Sequence, residues 1–182
     1  MPDANEPSRC FGLADAMILV AATAAALGWL RPSLERRLTF IADGRIIENL
    51  RPSTLVGGAF AATWSLAALA IQLRPPRSAG PDWRLRPGFV ACLAATMACL
   101  VKLAFLLIWG ASQRFRFERW YVPSILGQLI EPAAMAVAGA WLALLLAGAW
   151  RREQSWPDNL GIAVGISWLA LDALAWTALC LD

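Results

Sequence analysis

Long apolar blocks alternate with short arginine-containing segments along the whole chain. Each block holds about 20 residues or more, enough for a helix rising 1.5 Å per residue to cross a hydrocarbon core of about 30 Å. Runs such as MILVAATAAALGWL do not alternate polar with apolar residues, which argues against the strands of a membrane barrel. The pattern predicts one all-α multipass domain, an integral membrane bundle with short arginine-rich loops. The five predicted spans are 11–30, 54–73, 89–110, 124–150 and 159–181.

The first apolar block has a second interpretation. Arg9 precedes it, and the small residues of ATAAALG would suit the cleavage site of a signal peptide. Its apolar run is long for such a peptide, so we expect an uncleaved first span.

The segment between the first two spans, residues 31–53, is the longest of the predicted loops. It contains LTFIADGRIIENL, in which Asp43 and Gly44 would suit the turn of a β-hairpin. The alternative is an interfacial helix with Leu34, Leu38 and Ile41 on one face. Both interpretations stay open. Aromatic residues at the block ends favour the headgroup region and are predicted to anchor the spans: Trp29, Trp83, Trp109, Trp120, Tyr121, Trp150 and Trp156.

Composition agrees with a membrane protein. The 182 residues are 59% hydrophobic and 16% charged, whereas a soluble domain has about 25% charged residues. The net charge of +3 does not call for a nucleic-acid partner, because arginines that flank spans contact lipid headgroups. Lys102 is the single lysine, and the wealth of arginine and alanine favours a G+C-rich bacterial genome. We therefore predict a bacterial cytoplasmic membrane protein.

The arginines do not settle the orientation of the chain. Seven fall on the side of the amino terminus and eight on the other, so the positive-inside rule gives a tie. The second loop, with four arginines and one acid, weakly favours a cytoplasmic amino terminus.

Candidate chemistry is sparse. The chain has no histidine, which excludes haem or zinc ligation by histidine and Ser-His-Asp catalysis. Its four cysteines form no C-x-x-C pair, and no Walker-type glycine loop is present. We predict neither an enzyme nor a protein with a cofactor or metal.

Lys102, Glu131 and Asp172 are ionisable residues inside the apolar blocks. A charge at bilayer depth costs several kcal/mol unless it is paired, hydrated or neutralised. Counted from the span centres, Lys102 and Asp172 lie about 3 to 5 Å and Glu131 about 9 Å from the midplane, all toward one side. These three residues form the candidate charge cluster. Asp15 lies near the start of the first span, where it is expected to stabilise a helix amino terminus.

Small residues suggest how the third and fifth spans pack. Gly161 and Gly165 form a G-x-x-x-G motif, and Trp168 and Asp172 continue its stripe along the fifth span. A stripe of alanines leads to Lys102 in the third span. If these stripes face each other, Lys102 and Asp172 can form an ion pair, with Glu131 as a rival or third member.

Two functions follow from these residues. The favoured hypothesis is a non-enzymatic structural or accessory subunit of a membrane complex, whose partners are the bilayer and other membrane subunits or a second copy of itself. In this interpretation Glu131 is paired or hydrated, and Pro132 bends the helix. The alternative is a small proton-coupled transporter or channel that uses Glu131, Lys102 and Asp172, since transporters place binding sites at helix breaks.

Overall fold

The chain forms a bundle of helices, described by a computed structural model for residues 11–37, 46–74, 83, 85–112, 121–150 and 155–180. No strand occurs among these residues, which confirms the all-α prediction. The described residues form five helices: α1 (Leu13–Arg37), α2 (Ile46–Leu73), α3 (Pro87–Ser112), α4 (Tyr121–Leu146) and α5 (Trp156–Cys180).

Four of the helices are long and apolar enough to cross a membrane, which indicates a multipass integral membrane protein. Their apolar stretches are Val56–Leu73 in α2, Pro87–Ile108 in α3, Gln128–Leu146 in α4 and Trp156–Thr177 in α5. The apolar part of α1, Leu13–Gly28, is shorter and would cover only about 24 Å at 1.5 Å per residue. The predicted count of five spans is thus supported for four helices, and the first stays a prediction.

The helices extend beyond several predicted span ends. α1 continues to Arg37 and α2 already begins at Ile46, so much of the predicted loop 31–53 is helical. A hairpin with Ile46–Leu50 as its second strand is therefore not formed. Asp43, Gly44, Leu38 and Ile41 lie outside the described residues, so the turn and the interfacial face proposed there stay predictions.

The fourth helix ends earlier than the predicted span 124–150. Gly148 has φ of +62°, a left-handed conformation that glycine adopts without steric cost. The amides of Gly148 and Ala149 donate to the carbonyls of Leu145 and Leu144, at 3.1 and 2.9 Å. This pair of bonds is the Schellman motif, which satisfies the last carbonyls of a helix. The apolar residues continue to Trp150, but the helix ends at Leu146.

Small side chains fill much of the core. Ala68, Ala91, Cys92, Ala95 and Ala133 are fully buried where α2, α3, α4 and α5 meet. Trp168 of α5 is the largest fully buried side chain and lies in the same cluster. α1 packs mainly on α2, at the side of this four-helix core. Since small residues let helix backbones approach closely, van der Waals contact can hold such a bundle together in lipid.

Candidate functional site

The amino-terminal ends of α3 and α5 meet at one end of the bundle. The Gly88 amide at the start of α3 donates to the Asp158 carboxylate at the start of α5, at 2.8 Å. The Trp141 indole, in the carboxyl-terminal half of α4, donates to the Pro87 carbonyl at 3.0 Å. α3 and α5 therefore run in the same direction and α4 in the opposite one. We call the end that holds Pro87, Gly88, Trp141 and Asp158 the capped end.

The three residues of the predicted charge cluster lie toward the other end. From the middle of their apolar stretches, Lys102, Glu131 and Asp172 are displaced by about 7, 9 and 8 Å at 1.5 Å per residue. The contact between Gly88 and Gly161 gives a second reference, from which Lys102 lies about 5 Å farther along the bundle than Asp172. All three residues by the first measure, and Lys102 and Asp172 by the second, share a level to within one helical turn.

The charged side chains of this level lie at the surface of the bundle. Glu131 is exposed, and Lys102 and Asp172 are half-buried. Glu131 and Asp172 interact electrostatically, and two carboxylates of like charge repel each other. The Lys102 ammonium lies 6.0 Å from the centroid of the Phe105 ring, whose side chain is 60% exposed.

The expected pairing of Lys102 is not seen. Within the described part of the chain, no ion pair includes Lys102, Glu131 or Asp172. Glu131 and Asp172 thus lie within range of mutual electrostatic repulsion, and the ammonium lies beside an exposed ring. The role of the cluster stays a prediction.

Pro132 lies next to Glu131 without interrupting α4. The helix runs from Tyr121 to Leu146 through the proline. Proline lacks an amide hydrogen and so removes one backbone hydrogen bond from the ladder of the helix. Glu131 is therefore presented by a continuous helix.

Gly161 and Gly165 lie at the closest approaches of α5 to its neighbours. A Cβ atom at Gly161 would lie 2.5 Å from the Gly88 carbonyl oxygen of α3. At Gly165 it would lie 2.6 Å from the Trp141 ring of α4 and 3.0 Å from the Ala91 side chain of α3. The distances of 2.5 and 2.6 Å are shorter than real Cβ contacts, so a larger residue at either position would force α5 or its neighbours to shift.

Asp158 is a polar residue that lies just before the predicted fifth span, 159–181, and was therefore expected in a loop. The Asn159 amide donates to the Ser155 carbonyl at 3.1 Å, which makes Ser155 the N-cap of α5 and Asp158 its third helical residue. The Asp158 side chain is 2% exposed and binds the Gly88 amide of α3. One carboxylate thus serves two helix amino termini, where negative charge is favourable. The sequence signal is S-W-P-D, which resembles a capping box.

Indole groups also link helices across the interior. Trp168 of α5 donates to the Ser65 hydroxyl of α2 at 3.0 Å, and that hydroxyl donates to the Ala61 carbonyl at 2.7 Å. Trp64 of α2 donates to the Thr23 hydroxyl of α1 at 3.3 Å. With the bond from Trp141 to Pro87, these contacts tie α1 to α2, α2 to α5 and α4 to α3. These links are made by tryptophans other than those at the block ends, whose role as membrane anchors stays a prediction.

Asp15 stabilises the start of α1, as predicted. It is 3% exposed, and its carboxylate accepts a hydrogen bond from the Gly12 amide at 3.1 Å. The same carboxylate lies 3.8 Å from the Arg74 guanidinium at the end of α2. Through this ion pair, Asp15 also connects the ends of two neighbouring helices.

Comparison of the chain with protein-family models, curated protein sequences and solved structures found no match. Among the residues that the structure describes, no three His, Cys, Asp or Glu side chains are grouped as metal ligands would be.

Proposed function

We propose that this chain is a non-enzymatic structural or accessory subunit of a membrane complex. The observation that carries the proposal is Glu131, an exposed carboxylate on the apolar stretch of α4. Asp172 and Lys102 are half-buried near the same level. A charge exposed to lipid costs several kcal/mol, and a partner that covers and neutralises it removes that cost. These residues therefore mark a surface where another transmembrane segment binds.

The assembly surface is the α3–α4 face, which we define by Val101, Lys102, Phe105, Glu131 and Met135. Val101, Phe105 and Met135 are 60 to 66% exposed, so large apolar side chains flank the charges. α3 and α4 pack directly against each other. Apolar contact with a polar group at its centre suits an interface between membrane helices, where packing gives affinity and the polar group selects register.

The interior of the bundle suits a rigid scaffold. Trp168 is buried and bound to Ser65, and Gly165 brings α5 against Trp141 and Ala91. Such contacts hold the helices in one arrangement and present the α3–α4 face as a preformed surface. Preorganisation of this kind favours association because little ordering is needed on binding.

In the proposed topology all five helices cross a bacterial cytoplasmic membrane, with arginine-rich loops between them. α1 as a whole, Leu13–Arg37, is about 37 Å long at 1.5 Å per residue and can span the bilayer although its apolar part is short. Its packing on α2 and the bond between Trp64 and Thr23 place it within the bundle. The partners are lipid and other membrane-embedded chains, and nucleic acid is not among them.

Site-specific photo-crosslinking in native membranes tests this proposal. A photo-reactive amino acid at Met135 lies on the α3–α4 face, and one at Ile166 of α5, which is 55% exposed, is the matched control. We expect a discrete protein crosslink from position 135 and only lipid adducts from position 166. Lipid adducts alone from both positions would contradict the proposal.

A second candidate, a small proton-coupled transporter or channel, is favoured by the proximity of Glu131 and Asp172. Two neighbouring carboxylates at membrane depth could share a proton or a cation. Two observations argue against this candidate. First, α4 is continuous at Pro132, so it offers no helix break. Second, a groove of about 360 Å³ lies between α2 and α5, and none of the three charged residues lines it. A pH-driven solute flux in proteoliposomes that disappears in Glu131→Gln would support the transporter; the accessory function predicts no such dependence.

A further inference from the structure

We infer that the α3–α4 face binds a second copy of this chain, with Lys102 of each copy paired to Glu131 of the other. The inference deepens the proposed function and rests on it, since it names the partner of the same surface. The first support for this pairing is the opposite charge of Lys102 and Glu131. Lys102 provides the only ammonium group among the side chains of the whole chain, and Glu131 is exposed on the neighbouring helix.

The levels of the two residues determine which symmetry can pair them. Lys102 and Glu131 lie about 7 and 9 Å from the middle of their apolar stretches, toward the same end. A two-fold axis along the membrane normal keeps every residue at its own depth. Two copies side by side would therefore bring each ammonium to the level of the other copy's carboxylate and form two equivalent pairs.

An antiparallel pair of copies would not achieve this. Turning one copy over places its Glu131 on the far side of the midplane, about 16 Å from Lys102 along the membrane normal. Salt bridges cannot form over that distance. The shared level of the two charges therefore specifies a parallel dimer, whose two-fold axis lies along the membrane normal.

The surroundings of both charges agree with an interface between copies. The Lys102 ammonium lies near the Phe105 ring, which is 60% exposed, and Met135 lies one helical turn from Glu131. Neither charge has an ion pair within the described part of its own chain. A lysine from the second copy would also offset the repulsion between Glu131 and Asp172. One isologous contact thus compensates the charges on both copies.

Charge reversal with mixed copies tests the inference. Donor-labelled and acceptor-labelled full-length chains are reconstituted at high dilution in phosphatidylcholine vesicles, and association is measured by energy transfer. We expect the wild type to associate with itself. Lys102→Glu alone and Glu131→Lys alone should each weaken association about tenfold or more, because both pairs of the dimer become repulsive.

The two variants mixed with each other should recover wild-type energy transfer. In the mixed pair, Glu at position 102 faces Lys at position 131, and the native Glu131 faces the native Lys102. Mixing cannot rescue misfolded chains, so recovery separates interface repulsion from unfolding. If a charge-reversal variant does not fold, the neutral variants Lys102→Met and Glu131→Gln are used instead. Each neutral variant should still weaken association.

Absence of recovery between folded reversal variants would overturn the inference, as would an undiminished association of either variant alone. A wild-type chain that stays monomeric in vesicles would also overturn it. A crosslink from position 135 to a different protein in native membranes would still support the proposed accessory function in that case. Failure of the inference is therefore distinguishable from failure of the function on which it rests.

Discussion

At the scale of single residues, buried polar groups hold the ends and the middle of the bundle. Asp158 caps α3 from α5, Asp15 caps α1 and reaches Arg74, and Trp168 binds Ser65. The cap that Asp15 forms on α1 could be predicted because it depends only on residues beside it in sequence, whereas its ion pair with Arg74 was not predicted. The hydrogen bond from the Gly88 amide to Asp158 could not be predicted, since it joins residues 70 positions apart and depends on how their two helices pack.

We expect Asp158→Ala to destabilise the bundle by about 1 to 3 kcal/mol, because the buried Gly88 amide loses its acceptor. Asp158→Asn keeps an acceptor oxygen and should cost less. The adjacent Asn159→Ala, on an exposed side chain, is the control and should change stability little. Thermal unfolding of the three variants in detergent micelles gives the comparison. Equal losses for Asp158→Ala and Asn159→Ala would show that the cap is unimportant.

At the scale of helices, apolar block length predicts which segments are helical but does not predict where they end. α4 ends at Leu146 because Gly148 turns the chain, although apolar residues continue to Trp150. α2 begins at Ile46, before the apolar block, since helical backbone bonds can form in polar sequence as well. The G-x-x-x-G motif of α5 and the alanine stripe of α3 predict that these helices pack closely, and Ala91 lies beside Gly165, but the motif does not identify Gly88 and Trp141 as contacts.

Gly161→Ala should separate α5 from α3 and destabilise the bundle by about 1 to 3 kcal/mol, the usual cost of overpacking. The new methyl group would meet the Gly88 backbone, which has no side-chain rotamer with which to move aside. Gly139→Ala of α4 is the matched control, because no atom lies within 4 Å of the added Cβ. Alanine should even favour the helix there by about 1 kcal/mol. Unfolding measurements in which both substitutions have the same effect would contradict this packing.

At the scale of the whole molecule, the sequence predicts a membrane bundle and the shared level of three charges. Helix rise alone places Lys102, Glu131 and Asp172 toward one end of their apolar stretches, and this shared level stays a prediction. The rotation of each helix about its axis decides whether a charge faces a neighbour or the surface. That rotation depends on how the helices pack, so the exposure of Glu131 and the absence of an ion pair to Lys102 among the described residues could not be predicted.

The proposed topology has five crossings and therefore places residues 1 and 182 on opposite sides of the membrane. Reporter fusions at the two ends, one active only in the cytoplasm and one only outside it, should score oppositely. The same result at both ends would remove one crossing. α1 would then be the helix to reconsider, because only Leu13–Gly28 of its length is apolar.

The central claim is that Glu131 joins this chain to another membrane-embedded chain. The most direct test is the mass of the protein assembly in which the chain is found in its membrane. Native membranes are extracted into lipid discs without detergent, and native mass spectrometry gives the protein mass of each disc. We predict a wild-type particle well above the 19.7 kDa of one chain, and a shift of Glu131→Gln toward that monomer mass. A wild-type particle that contains one chain alone, or a larger one that Glu131→Gln leaves intact, would contradict the account.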